Sequence, residues 1–223
     1  MKDASSQAGL AYAQIRSAVL DGVFPLGSVL TENQLADYVG ASRTPVREAV
    51  HRLELERVLV RDERGIAVPD PAPDEIFEIY ETRGILGSAN ARLAAERRTD
   101  LDLSALQQHA ADVREALDGR QEDRMTAHTE FTKASWRASH NRALYAELER
   151  FGTTDSHFGG VSTLAEPGQW DRLVAYYRDY IDALLVRDGD RAAELALANV
   201  KAFRDARLAM WRERNRQPQP ERV

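Results

Sequence analysis

Gly40-Ala41-Ser42-Arg43-Thr44-Pro45-Val46-Arg47-Glu48-Ala49-Val50, continued by His51-Arg52-Leu53, is the stretch on which the reading of the fold turns. Gly40 stands where a helix end wants a residue free to adopt positive φ, and a new helix begins almost at once. Thr44 before Pro45 fits an N-cap followed by a first-turn proline, with Ser42 as the alternative cap. Val46, Ala49, Val50 and Leu53 recur at helical spacing and face inward, while Arg43, Arg47, His51 and Arg52 lie toward the helix's open end and flank.

Upstream, Thr31-Glu32-Asn33-Gln34 has the form of a capping box, with Leu30 and Leu35 spaced for a hydrophobic staple. A short helix is therefore expected from there to Gly40. An earlier helix runs from about Gly9 to Asp21 with Ala11, Ile15, Ala18 and Val19 on one face, and Gly22 and Pro25-Leu26-Gly27 then break the chain. Downstream, Leu59-Val60 and Ile66-Ala67-Val68 flank Arg61-Asp62-Glu63-Arg64-Gly65, which reads as a two-stranded hairpin. Helix, short helix, tight turn, helix, hairpin is the layout of a winged helix-turn-helix, whose second paired helix enters the major groove of DNA. Arginines at the start of such a helix reach base edges and phosphates, and Thr44 with the first N–H groups suits a phosphate. Arg64-Gly65 at the hairpin tip is placed for the adjacent minor groove. The competing reading of Arg43 and Arg47 is surface salt bridging, for instance with Glu48 or Glu32.

Bulk charge does not announce this function. The 223 residues hold 30 Lys+Arg against 36 Asp+Glu, a formal charge of -6. The first 70 residues carry eight basic and ten acidic side chains, but six of those eight basic residues lie between Arg43 and Arg64. A binding face needs local positive charge rather than a basic whole. A 43% apolar share is enough for a buried core. The lack of cysteine excludes disulfides, thiolate metal sites and a catalytic thiol. No apolar run approaches a membrane span, and Met1 to Gly9 has no signal-peptide pattern, so a soluble cytoplasmic protein is expected.

Val68-Pro69-Asp70-Pro71-Ala72-Pro73-Asp74 forbids a continuous helix and marks a boundary. The expected organisation is a flexible N-terminus over 1–8, a winged-helix domain over 9–68 and a linker over 69–74. An all-α antiparallel helical bundle over 75–215 and a disordered tail over 216–223 complete it.

The stretch from Gly40 to Val50, with Arg52-Leu53 and the Arg64-Gly65 hairpin, closely resembles the GntR family of bacterial transcription regulators. The all-helical second half resembles that family's FadR-like branch, whose effector domain is called FCD. Ile79-Tyr80-Glu81-Thr82-Arg83-Gly84-Ile85-Leu86 followed by Ala94-Ala95 is similar to that domain's opening helix. The resemblance spans roughly residues 8 to 212. It implies a homodimer on a short pseudopalindromic operator in double-stranded DNA, with affinity changed when a small metabolite, often a carboxylate or sugar acid, enters the helical domain. Position by position, Ser42, Arg43, Thr44 and Arg47 fall on the family's DNA-contacting segment. Arg64 and Gly65 fall on its wing tip, and Asn33 falls where relatives contact the backbone.

In the second half, His128, Thr132 and Ser135 share a helix face at i, i+4, i+7. Tyr177 recurs with Leu173, Ile181 and Leu184, and Asn199 recurs with Leu195, Ala202, Phe203 and Ala206. Three inward polar stripes suggest a polar cavity. Many relatives bind a divalent metal there through an Asp, a His four residues on and two later His. The corresponding positions here are His128, Thr132, Tyr177 and Asn199, which imply that the metal site is lost and that no cofactor is held. Arg83, His128, Thr132, Tyr177 and Asn199 are then the expected effector contacts, with Trp136 as lining and Arg83 as counter-charge to an anion. His157 either caps a helix or faces the cavity. A repressor responsive to a small, anionic effector is the leading expectation, with an effector-free operator binder and a metal-dependent regulator as alternatives. An enzyme is not expected, because no metal-ligand cluster, phosphate-binding glycine loop or nucleophile with an evident base is present.

Overall fold

The structure is a computed structural model that describes residues 6–20, 22–155, 164 and 168–216. His157 lies outside them. Two compact units part between Ala72 and Pro73, with residues 152–155 grouped with the first.

The first unit contains α1 (Gln7–Leu20), β1 (Val29–Leu30), α2 (Glu32–Val39), α3 (Arg43–Leu55), β2 (Val60–Asp62) and β3 (Gly65–Ala67). The three strands form an antiparallel sheet in the order β1-β3-β2. Arg61 stands opposite Ile66 and Asp62 opposite Gly65, which leaves Glu63-Arg64 as the turn of the hairpin. Ile15, Leu35, Val46, Val50, Leu53, Leu59 and Ile66 are packed into one core. Each such aliphatic side chain, fully buried, contributes roughly 1.5–3 kcal/mol.

The ends of α2 follow from local chemistry. Gln34 N–H donates to Thr31 Oγ1 at 3.2 Å, and Thr31 N–H donates to Gln34 Oε1 at 2.8 Å. Gly40, at φ 63°, closes the helix in the left-handed region. The start of α3 differs from the favoured expectation: Ser42, not Thr44, is the N-cap, with ψ 165° and no side-chain capping bond. Pro45 is then the third helical residue, where its missing N–H costs nothing because no carbonyl lies one turn before it. At its other end α3 closes through Arg57, at φ 57°. Val58 N–H donates to Leu53 O and Arg57 N–H to Glu54 O, the bond pair of a Schellman motif.

The second unit is helical: α4 (Pro73–Arg97), α5 (Asp100–Glu115), a 3-10 turn (Ala116–Asp118), α6 (Gln121–Arg137), α7 (Arg142–Asp155), α8 (Gln169–Leu185) and α9 (Gly189–Arg216). The linker expected over 69–74 gives way at Pro73, which opens α4, a position that suits proline's fixed φ. Helix α9 runs through Arg216, one residue into the expected tail. Ile76, Leu106, Phe131, Leu173, Tyr177 and Tyr180 anchor the core. Gly84 marks a close approach of α4 to α9, where an added Cβ would stand 2.9 Å from Leu197 Cδ1.

Two corners are tied by polar groups. Thr99 caps α5 in a capping box with Asp102, whose Oδ2 also lies 2.8 Å from His140 Nε2. Burial pushes the Asp102 carboxyl up, but hydrogen bonds from the Thr99 hydroxyl and N–H and from His140 outweigh it, so its pKa falls below the ordinary value. A carboxylate with a depressed folded pKa stabilises the fold above its unfolded pKa of about 3.9, and loses that contribution as pH falls through the folded value. The stability gap between wild type and Asp102→Asn is therefore expected to be full near neutrality and to close on acidification below about pH 4. Urea unfolding followed across pH measures it, and a gap that stays constant into acid would contradict this account.

Candidate functional site

Ser42, Arg43, Thr44 and Arg47 are all exposed on the first turns of α3, and Asn33 is exposed on α2. Among the described residues Arg43 makes no ion pair. Arg47 donates through Nη2 to Glu32 Oε2 at 3.1 Å, the salt bridge that the competing reading expects. Arg64 donates to Asp62 Oδ2 through Nε and Nη2 at 3.1 and 2.8 Å, and its N–H bonds Asp62 Oδ1 at 2.8 Å. These bonds hold the Asp62 carboxyl below its usual range. Gly65 takes φ 136°, and a Cβ there would stand 3.3 Å from Leu30 O, so the wing tip needs glycine. Arg52 is drawn elsewhere: its guanidinium lies 4.0 Å from the Tyr12 ring centroid and pairs with Glu56 at 3.5 Å.

In the second unit, Arg83, His128, Thr132, Tyr177 and Asn199 line one cavity of about 60 Å³. Four helices supply them: α4, α6, α8 and α9. Ser135 and Trp136 line it as well. Its volume is far below the ~300–1,000 Å³ typical of pockets for drug-sized ligands. Phe131 packs on Tyr177 with ring centroids 3.8 Å apart, and Tyr177 is 2% exposed.

The Tyr177 hydroxyl and His128 Nδ1 are 2.5 Å apart. Burial raises the Tyr177 hydroxyl well above its ordinary pKa, so it stays protonated and acts as the donor. That engagement occupies one ring nitrogen of His128, the single strong ligand among the four positions. A phenol, a threonine hydroxyl and an asparagine amide are poor partners for zinc, so this donor set does not suit the family's divalent cation. Among the described residues no three His, Asp or Glu side chains gather to hold a metal.

Two residues escape the sequence reading. Asn90, 2% exposed, donates to Trp136 O at 3.1 Å and to Ser139 Oγ at 2.8 Å and lines the same cavity. Its signal is the Arg83, Gly87, Asn90 spacing of i, i+4, i+7. Arg172 on α8 donates through Nη1 to Asn199 Oδ1 at 2.9 Å and lies 5.0 Å from the Phe203 centroid, beside the cavity wall. Burial lowers its pKa from the ordinary value, and its buried Nη2 has no hydrogen-bond partner.

Both halves match known families. The model described as "Bacterial regulatory proteins, gntR family" matches residues 7–68, and the one described as "FCD domain" matches residues 78–202, more than half the chain. The chain belongs to the gntR family of bacterial regulatory proteins.

The uncharacterized HTH-type transcriptional regulator Rv0494 of Mycobacterium tuberculosis is 32% identical over 221 residues, covering 86% of this chain and 88% of that protein. A probable D-xylose utilization operon transcriptional repressor of Paenarthrobacter nicotinovorans is 27% identical over 194 residues, covering 83% and 81%. In fold, the chain is similar to a putative GntR transcriptional regulator from Rhodococcus, with a TM-score of 0.72 at 20% identity, covering 92% of this chain and 99% of that one. This gntR-family protein is a transcription regulator with an FCD domain, and not an enzyme. Among its described residues no helix is long and apolar enough to cross a membrane.

Proposed function

We propose that the protein is a repressor that binds a pseudopalindromic operator as a homodimer and loosens its hold when a compact organic anion enters the FCD cavity. The observation that carries this is the convergence of Arg83, His128, Thr132, Tyr177 and Asn199, from four helices, on a single cavity. Arg83 supplies a positive charge at its wall, and Arg172 stands behind Asn199 with a donor unspent. Hydrogen bonds to charged groups are strong in such partly desolvated places. Coupling to DNA then needs only that the anion favour one of two arrangements of the protein. A second reading, an operator binder without an effector, is favoured by the cavity's small volume of about 60 Å³.

The test is a thermal-shift screen of metal-stripped protein against organic acids, sugar acids, acyl compounds and amino acids, repeated with added divalent metals. Stabilisation by a small acid without metal is the expected result. Stabilisation that requires metal would restore a chelating mechanism, and no shift at all would favour the effector-free reading. For any acid that binds, Arg83→Ala is expected to weaken binding by about 1.5–3 kcal/mol, the worth of one charged hydrogen bond. Unchanged affinity in a calorimetric titration would remove Arg83 from the site.

A further inference from the structure

Glu32 is the first residue of α2, yet its carboxylate meets arginines from two other elements. Arg47 of α3 approaches edge-on: its Nε lies 3.4 and 3.3 Å from Oε1 and Oε2, and its Nη2 lies 3.1 Å from Oε2. Arg61 of β2 lies 3.9 Å from Oε1 and at the same time holds Glu54 at 2.9 Å. The Glu32 side chain is 23% exposed and that of Arg47 is 68% exposed. Exposed pairs of this kind add little to stability. A carboxylate in the first turn of a helix is stabilised by the helix dipole with or without an arginine. Folding alone therefore gives this arrangement little purpose.

The orientation supplies one. A guanidinium offers two bidentate edges, and the contact with Glu32 uses the Nε and Nη2 edge. The end-on donors, Nη1 and the outer hydrogen of Nη2, are left for another acceptor pair. That is the edge that can meet guanine O6 and N7 in the major groove. Arg47 can thus engage a base while keeping Glu32. Turning sideways to follow a phosphate would break the Nε and Nη2 contacts with Glu32 and leave that partly buried carboxylate only Arg61, at 3.9 Å. Arg43, one turn earlier and without an ion pair among the described residues, carries no such restraint.

We infer that Glu32 is a specificity-determining residue: it fixes the plane of the Arg47 guanidinium for end-on readout of one base pair and withholds that arginine from phosphates. This rests on the DNA-binding reading of α3. Arg47 then supplies discrimination, and Arg43 supplies affinity that is nearly independent of sequence.

The experiment uses the full chain and a duplex selected by the wild-type protein from a random pool, with a scrambled duplex of equal length as the non-specific probe. For Glu32→Gln, operator affinity is expected to fall about two- to fivefold and scrambled affinity to rise by a similar factor, so that their ratio drops roughly tenfold. Discrimination is expected to relax at the base pair where Arg47→Ala relaxes it. Glu32→Asp keeps the charge but shortens the reach, and is expected to lose that discrimination while scrambled affinity stays low. A ratio within twofold of wild type for Glu32→Gln would overturn the inference, as would relaxation at a base pair that Arg47→Ala leaves untouched. Wild-type protein that enriches no sequence from the pool would sink the DNA-binding reading itself, a failure distinct from a wild-type protein that selects normally beside a silent Glu32→Gln.

Discussion

Replacing Arg98 by alanine is expected to destabilise the second unit by about 3 kcal/mol, the cost of leaving buried acceptors without a charged donor. Arg98 is 8% exposed and follows directly on α4. Its Nε donates to Leu184 O at 3.2 Å, its Nη2 to Leu185 O at 3.1 Å and its Nη1 to the Asp100 carboxylate at 2.8 Å. The first two acceptors are carbonyls in the last turn of α8, where the helix dipole is negative, and Leu184 O accepts the Arg187 N–H at 3.1 Å as well. Arg187 returns the arrangement: its Nη1 donates to Glu96 O at 2.8 Å and its Nη2 to Arg98 O at 3.3 Å, at the C-terminus of α4. Two helix ends are therefore capped by each other's arginines. Arg98→Lys keeps the charge, but one ammonium cannot span two carbonyls as a planar fork does, so about half the loss is expected. All three tryptophans, Trp136, Trp170 and Trp211, belong to this unit, so urea unfolding followed by tryptophan fluorescence reports on it alone. A loss below about 1 kcal/mol for Arg98→Ala would mean that water replaces the guanidinium at those carbonyls.

That cap also shows where sequence reading stops. Features written within one helical turn were legible: the Thr31–Gln34 box, the Gly40 stop and the inward face of α3 all stand as expected. The winged helix followed by an all-α bundle was legible for the same reason. What depended on a partner far along the chain was not. Strand β1 is two residues long and has no periodicity to display, since it exists through its pairing with β3. The left-handed helix ends at Arg57 and Arg187 hide behind a search for glycine. At Arg187 the cost of the left-handed backbone, roughly 1–2 kcal/mol, is offset by the bonds its side chain makes to α4. At the start of α3 the structure takes the alternative cap, Ser42, over Thr44, because a proline is tolerated anywhere in the first turn and Pro45 fixes the cap only to within a residue or two.

The cavity divides along the same line. His128, Thr132 and Ser135 declared a polar face by their spacing, and the structure brings that face together with Arg83, Tyr177 and Asn199. Arg172 did not declare itself, because its tie to Asn199 joins residues 27 apart on different helices.

Arg47→Ala is expected to weaken operator binding by about 1–3 kcal/mol, or roughly five- to 150-fold, if the side chain reads a base edge. The same substitution removes the bond to Glu32 in the free protein. Because that pair is exposed, the loss should leave thermal stability within about 0.5 kcal/mol of wild type. The two readouts therefore separate the roles that were in competition from the start. If Arg47 served only the surface of the free protein, its removal would touch neither quantity much. If it serves DNA, affinity falls while stability holds. The sequence dependence of the loss then carries the finer point: a base reader loses affinity for the operator and little for scrambled DNA, whereas a phosphate contact loses both alike and reduces the salt dependence by about one counterion. Arg43→Ala is the natural comparison, since Arg43 sits one turn away on the same helix and is expected to show that second pattern. Equal, sequence-independent losses for both variants would place Arg47 on the phosphate backbone. An Arg47→Ala protein that holds the operator with normal affinity would remove this residue from the recognition surface altogether.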